Sequence, residues 1–150
     1  MRIKAAILIV ASWPLSLAAT RPPSDCLAGL REALVEGHFT GPLVCSGTDA
    51  TFVLVGRTAG NGFSIYDYRY KYDPPGGGNV LHGGQKIVVF RGNRYVGQYA
   101  LSPPPYDAAY VHGTNVVLQS SETRQSVRLD FSRKPPSEVY LDGERLTFYR

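Results

Sequence analysis

The densest run of chemically capable side chains is Phe63-Ser-Ile-Tyr-Asp-Tyr-Arg-Tyr-Lys-Tyr-Asp73. Side chains alternate along a strand, so Tyr66, Tyr68, Tyr70 and Tyr72 share one face, and Asp67, Arg69, Lys71 and Asp73 share the other. Neighbouring charges of opposite sign suit water, which points the tyrosines inward. Phe63 and Ile65 fall on the charged side, a conflict that predicts a bulge or bend near Tyr66. An inward row of tyrosines either fills a core or forms a binding surface. Flat rings with hydroxyl tips suit a glycan or another amphipathic ligand. Buried hydroxyls need partners, which a ligand or ordered water can supply. Tyr95 and Tyr99, an even number of residues apart, fall on one face of a strand and extend the same patch.

Two histidines stand beside glycines, His82-Gly83-Gly84 and His112-Gly113, about 30 residues apart. They join the candidate ligand-binding set. Zinc motifs carry a short-spaced ligand pair, and this chain has none, so no metal and no cofactor is expected. No G-x-S-x-G elbow occurs, and the carboxylates are scattered rather than paired. Gly76-Gly77-Gly78 precedes no helix and lacks the lysine of a phosphate-binding loop. The reading is therefore a non-catalytic binding protein. A small secreted hydrolase using His82 or His112 with a carboxylate, or a structural envelope component, is the alternative. A protein partner is the other kind of ligand: Asp73–Gln85 is rich in Gly, and Ser102–Asp107 is Pro-rich and carries Tyr106. A stiffened loop presenting a tyrosine loses little entropy on docking.

These side chains need a scaffold, and the N-terminus says where it works. Arg2 and Lys4 precede the apolar run Ala5–Ala11, and Ser16-Leu17-Ala18-Ala19 supplies small residues for cleavage. This order is that of a secretory signal, and the run is too short to span a bilayer. Residues 1–19 are read as the signal and 20–150 as one domain, periplasmic or secreted, with no membrane span after cleavage. Loss of Arg2 and Lys4 takes the formal charge from +4 to +2, which removes the basic excess that nucleic-acid binding uses. Cys26 and Cys45 are the only cysteines. Export places them in an oxidising compartment, so they are expected to pair.

Within the domain, Leu27, Leu30, Ala33 and Leu34 recur at helical spacing after Ser24-Asp25, predicting one helix over about 25–36 with Gly37 as its stop. From Thr51 onward the pattern alternates. Hairpins are expected around Gly60-Asn61-Gly62, Gly92-Asn93, Ser120–Thr123 and Asp142-Gly143. Proline clusters at 74–75, 103–105 and 135–136 punctuate the units, because proline cannot donate to a ladder. Eight short strands, Ala109–Gln119 among them, predict a mainly β antiparallel barrel or sandwich built from hairpins.

Overall fold

The computed structural model describes residues 30–41, 43, 50–72, 82–101, 108–120 and 123–150. The expected signal segment, both cysteines, the start of the expected helix, the Tyr72 side chain and Tyr106 lie outside the described residues. One helix, α1 (Leu30–Glu36), precedes nine strands: β1 (Ala50–Arg57), β2 (Phe63–Tyr72), β3 (His82–Arg91), β4 (Arg94–Leu101), β5 (Ala108–His112), β6 (Asn115–Gln119), β7 (Ser126–Asp130), β8 (Glu138–Leu141) and β9 (Glu144–Tyr149). The protein is mainly β, with two antiparallel sheets of order β1-β2-β3-β4-β9-β8 and β5-β6-β7.

Turn chemistry sets this meander. Gly92 and Gly113 (φ 61° and 62°) each open a two-residue hairpin loop, and Asp142 and Gly143 (φ 52° and 82°) fill another. The loop at Gly113-Thr114 corrects the single strand expected over Ala109–Gln119, which is a hairpin, β5 and β6. A left-handed glycine in its centre reverses the chain, and the count of strands among the described residues rises to nine.

The edges of the two sheets meet on both sides: β1 lies against β5, and β7 against β8. A hydrogen bond from the Ala59 N–H to the Gly113 carbonyl (2.8 Å) pins the first seam. No backbone ladder joins the sheets among the described residues, so no closed barrel forms.

The large sheet is buried on both faces. One face sends Phe63, Ile65, Ile87, Val89 and Tyr99 against Val116, Leu118, Leu129 and Phe131 of the small sheet and its continuation. The opposite face sends Tyr68, Val88, Phe90 and Tyr95 against Leu30 and Leu34 of α1. This double burial corrects two expectations about β2. The side carrying Asp67 is solvated only toward the exposed Lys71: Asp67 is buried, accepting from Gln85 Nε2 (2.8 Å) and from Arg69 Nε and a terminal nitrogen (3.0 and 2.9 Å). Nor does β2 bulge near Tyr66. Its register with β3 is unbroken, and the extra residue sits opposite in β1, where Val55 falls between the pairs Leu54–Tyr66 and Gly56–Ile65. Phe63 and Ile65 need no kink, because their face has its own core.

Close approach of β9 to β4 depends on Gly97. A Cβ there would lie 2.5 Å from Phe148 Cζ and 2.7 Å from the Tyr149 carbonyl oxygen. Gly97→Ala is expected to destabilise the fold by about 1–3 kcal/mol, the usual cost of overpacking. A urea transition with an unchanged midpoint would show that β9 can move aside freely.

Candidate functional site

The helix-covered face holds the tyrosines, and a short strap, residues 37–41, shapes it. The Phe39 N–H donates to Leu34 O (2.9 Å) and the His38 N–H to Val35 O (3.2 Å), with His38 left-handed at φ 57°. This is the Schellman ending of a helix, with Phe39 and Leu34 in one apolar cluster beside it. Glycine usually takes the left-handed position because it has no Cβ penalty; here a histidine bears that strain. Gly37 is required for space: a Cβ on it would overlap the Tyr95 ring.

The strap lays Phe39 on a floor of aromatic rings. Phe39 meets Tyr68 and Tyr95 edge-on, with centroids 5.7 and 6.0 Å apart. Beneath it, Phe52 stacks on Tyr68 at 4.1 Å and Tyr68 on Tyr70 at 5.0 Å, while Tyr66 and Tyr95 each abut Phe90. Such offset and T-shaped pairs add to burial because ring edges are positive and ring faces negative.

Polar groups then fix the strap. The Thr40 carbonyl accepts from Lys86 Nζ and from Gln98 Nε2 (2.8 Å), and Gln98 Nε2 also reaches Thr40 Oγ1 (2.6 Å). Lys86 Nζ lies 5.2 Å from the Phe39 centroid and 5.9 Å from that of Tyr149, a cation–π setting. Burial pulls the Lys86 amine below its ordinary pKa. Gly41, at φ 113°, completes the turn over Lys86, where a Cβ would collide with Nζ. Two atoms under this cover, Gln98 Oε1 and the Tyr95 hydroxyl, are buried without a hydrogen-bond partner among the described residues. Beside the strap, a shallow depression of about 490 Å³ lies between α1 and the β3–β4 turn, lined by Glu36, Arg91, Asn93, Arg94 and Tyr95 among others.

The expected site residues divide. Tyr66, Tyr68, Tyr70 and Tyr95 are brought together on this face. Tyr99 is not: it lies in the opposite core, its hydroxyl donating to Pro136 O (2.6 Å). The cause is a bulge in β4, where Val96 intervenes between the pairs Phe90–Tyr95 and Val89–Gly97 and shifts the alternation by one residue. His82 is exposed at the start of β3, opposite Tyr72. His112 is exposed at the end of β5, next to Val111, which packs on Gly56. Gly56 pairs with Ile65, seven β2 residues from Tyr72, so the two histidines stand roughly 23 Å apart along the strand direction. No group of three metal-ligating side chains gathers among the described residues.

Sequence reasoning missed Phe39, Thr40, Lys86 and Gln98. The signal was present for the last two: a lysine and a glutamine interrupt strands that are otherwise apolar and aromatic, Lys86-Ile-Val-Val-Phe90 and Tyr95-Val-Gly-Gln-Tyr99. Comparison with protein-family models, with curated proteins and with solved structures returned no match, so the site is read from its own residues.

Burial raises the hydroxyl pKa of Tyr95 and of Tyr99; the neighbouring Tyr149 raises that of Tyr95 further, and Arg150 opposes it. Each group stays protonated in the fold while the unfolded chain ionises near the ordinary value of about 10. The stability they contribute is therefore fully present below that pH and lost as the pH rises above it. Tyrosinate absorbance should show two hydroxyls that ionise only with alkaline unfolding. Smooth titration of every tyrosine in a still-folded protein would contradict this packing.

Proposed function

We propose that this chain is an exported, non-catalytic binding protein. Its ligand is a small polar molecule of the glycan type, taken beside the aromatic face at the depression between α1 and the β3–β4 turn. The observation that carries this reading is the Tyr95 hydroxyl, buried and without a partner among the described residues, in a side chain that lines the depression with Glu36, Asn93 and Arg94. An unpaired buried polar atom costs about 1–3 kcal/mol, and a ligand hydroxyl that reaches it by displacing the cover relieves that cost. Carboxylate, amide and guanidinium groups around a tyrosine offer the donors and acceptors that a polyhydroxylated ligand needs.

A protein partner is the second reading, and one feature of the sheet favours it. The last residues of β2 and β4 and the first of β3 lie at one end, since Tyr72 pairs with His82 and Leu101 with Gln85. The Gly-rich and Pro-rich connections therefore leave the sheet from the same end.

The test uses the mature protein, soluble glycans and Tyr95→Phe. Ligand at ten times its Kd stabilises a binder by about 1.4 kcal/mol, read as a saturable rise in Tm. Tyr95→Phe keeps the ring and removes the hydroxyl. The free variant is expected to be more stable than the parent by about 1 kcal/mol, and to bind about fivefold more weakly. Binding undiminished in Tyr95→Phe would overturn the assignment of the site. A flat response to every glycan, with saturable capture of a protein that is lost when the Gly-rich and Pro-rich connections are replaced, would favour the second reading.

A further inference from the structure

The cover over the aromatic face is held in a way that differs from the rest of the core. Among the described residues, α1 spans Leu30–Glu36 and buries Leu30 and Leu34. Val35, on the same helix, is 57% exposed. Beyond the helix, attachment among the described residues rests on the Phe39 ring, on the Thr40 carbonyl and hydroxyl, and on Leu43, which packs against the same cluster.

The closed arrangement also carries local costs. His38 sits in the left-handed region, which costs a residue with a Cβ about 1–2 kcal/mol. Gln98 Oε1 and the Tyr95 hydroxyl are buried without partners among the described residues. The Lys86 amine is buried with a carbonyl as its hydrogen-bond partner, and no carboxylate forms an ion pair with it among the described residues. Opening would admit water to all of these groups and relax His38. The ladders of β2, β3 and β4 beneath run unbroken by the strap and lose nothing when it lifts.

We propose that the strap, residues 37–41, with α1 behind it, is a cover that lifts as a unit from the aromatic face while both sheets stay folded. This deepens the ligand reading by giving a larger ligand a route to Tyr68, Tyr70 and Gln98. Its test is made without ligand, so the two readings fail separately.

Lys86 is a built-in reporter. It is 5% exposed under the strap, whereas Lys71 and Lys134 lie in the open. The mature protein is treated with an amine-acylating reagent across a urea series below the unfolding transition. Modification at each lysine is then read by peptide mapping and normalised to the unfolded chain. Lys86 is expected to react roughly 100-fold more slowly than Lys71 and Lys134, at a rate nearly independent of urea, because local opening exposes little new surface. Replacing His38 by glycine removes the strain of the closed state. His38→Gly should slow Lys86 modification about fivefold, the equivalent of about 1 kcal/mol, and leave Lys71 and Lys134 unchanged. The proposal is overturned if Lys86 modification follows the full urea slope of global unfolding. It is equally overturned if Lys86 reacts as fast as the exposed lysines, or if His38→Gly leaves its rate unchanged.

Discussion

One backbone oxygen closes the second core of this protein. The Thr40 carbonyl accepts from Lys86 on β3 and from Gln98 on β4, and so ties the end of α1 to two central strands of the six-stranded sheet. Without such a tie, the described part of the helix has only apolar contacts to hold it on a floor of tyrosines. Hydrophobic burial supplies the attraction, but it is non-directional. The polar clamp sets where the helix ends and where Phe39 enters. The chain accepts a strained His38 and, under the strap, two polar atoms without partners among the described residues to keep this arrangement. Departures of this kind gather at sites with work to do rather than in inert cores.

Two bulges decide which aromatic side chain faces which core. In β1 the extra residue at Val55 bends an edge strand while β2 runs straight beside it. In β4 the extra residue at Val96 separates Tyr95, under the helix, from Tyr99, under the small sheet. A sheet covered on both faces tolerates this well, because either side offers an apolar setting. Tyr95 and Tyr99 nevertheless meet different fates. The Tyr99 hydroxyl finds the Pro136 carbonyl, while that of Tyr95 finds no partner among the described residues.

Much of the scaffold was legible in the residues. Asp142-Gly143 and Gly92-Asn93 make the turns their types demand, and Leu30, Ala33 and Leu34 fall on the helix that their spacing predicts. Three features were not legible, each for a physical reason. The Gly113 turn has no strong turn dipeptide and sits between apolar runs, so it reads as one strand. The β4 bulge is a property of pairing, invisible to a rule of alternation applied to one strand. The cover is a tertiary device: Phe39 and Thr40 lie just past the helix and acquire meaning only when Lys86 and Gln98 reach them from strands 46 and 58 residues away. Tyr66, Tyr68 and Tyr70 face inward as the alternation predicts. The opposite side of β2 was misread because charge alone was taken as a sign of water, whereas Asp67 is buried with Arg69 and Gln85 as partners.

The central claim is that α1 and its strap form a separately anchored unit on an otherwise continuous sheet. Native-state hydrogen exchange of the Phe39 amide, whose bond to Leu34 O ends the helix, tests it most directly against amides in the β2–β3 ladder. The account predicts that Phe39 exchanges through a small opening, several kcal/mol below the global unfolding free energy and almost insensitive to denaturant. Exchange of Phe39 at the global free energy, with the same denaturant slope as the β2–β3 amides, would contradict it and make the helix an inseparable part of the core.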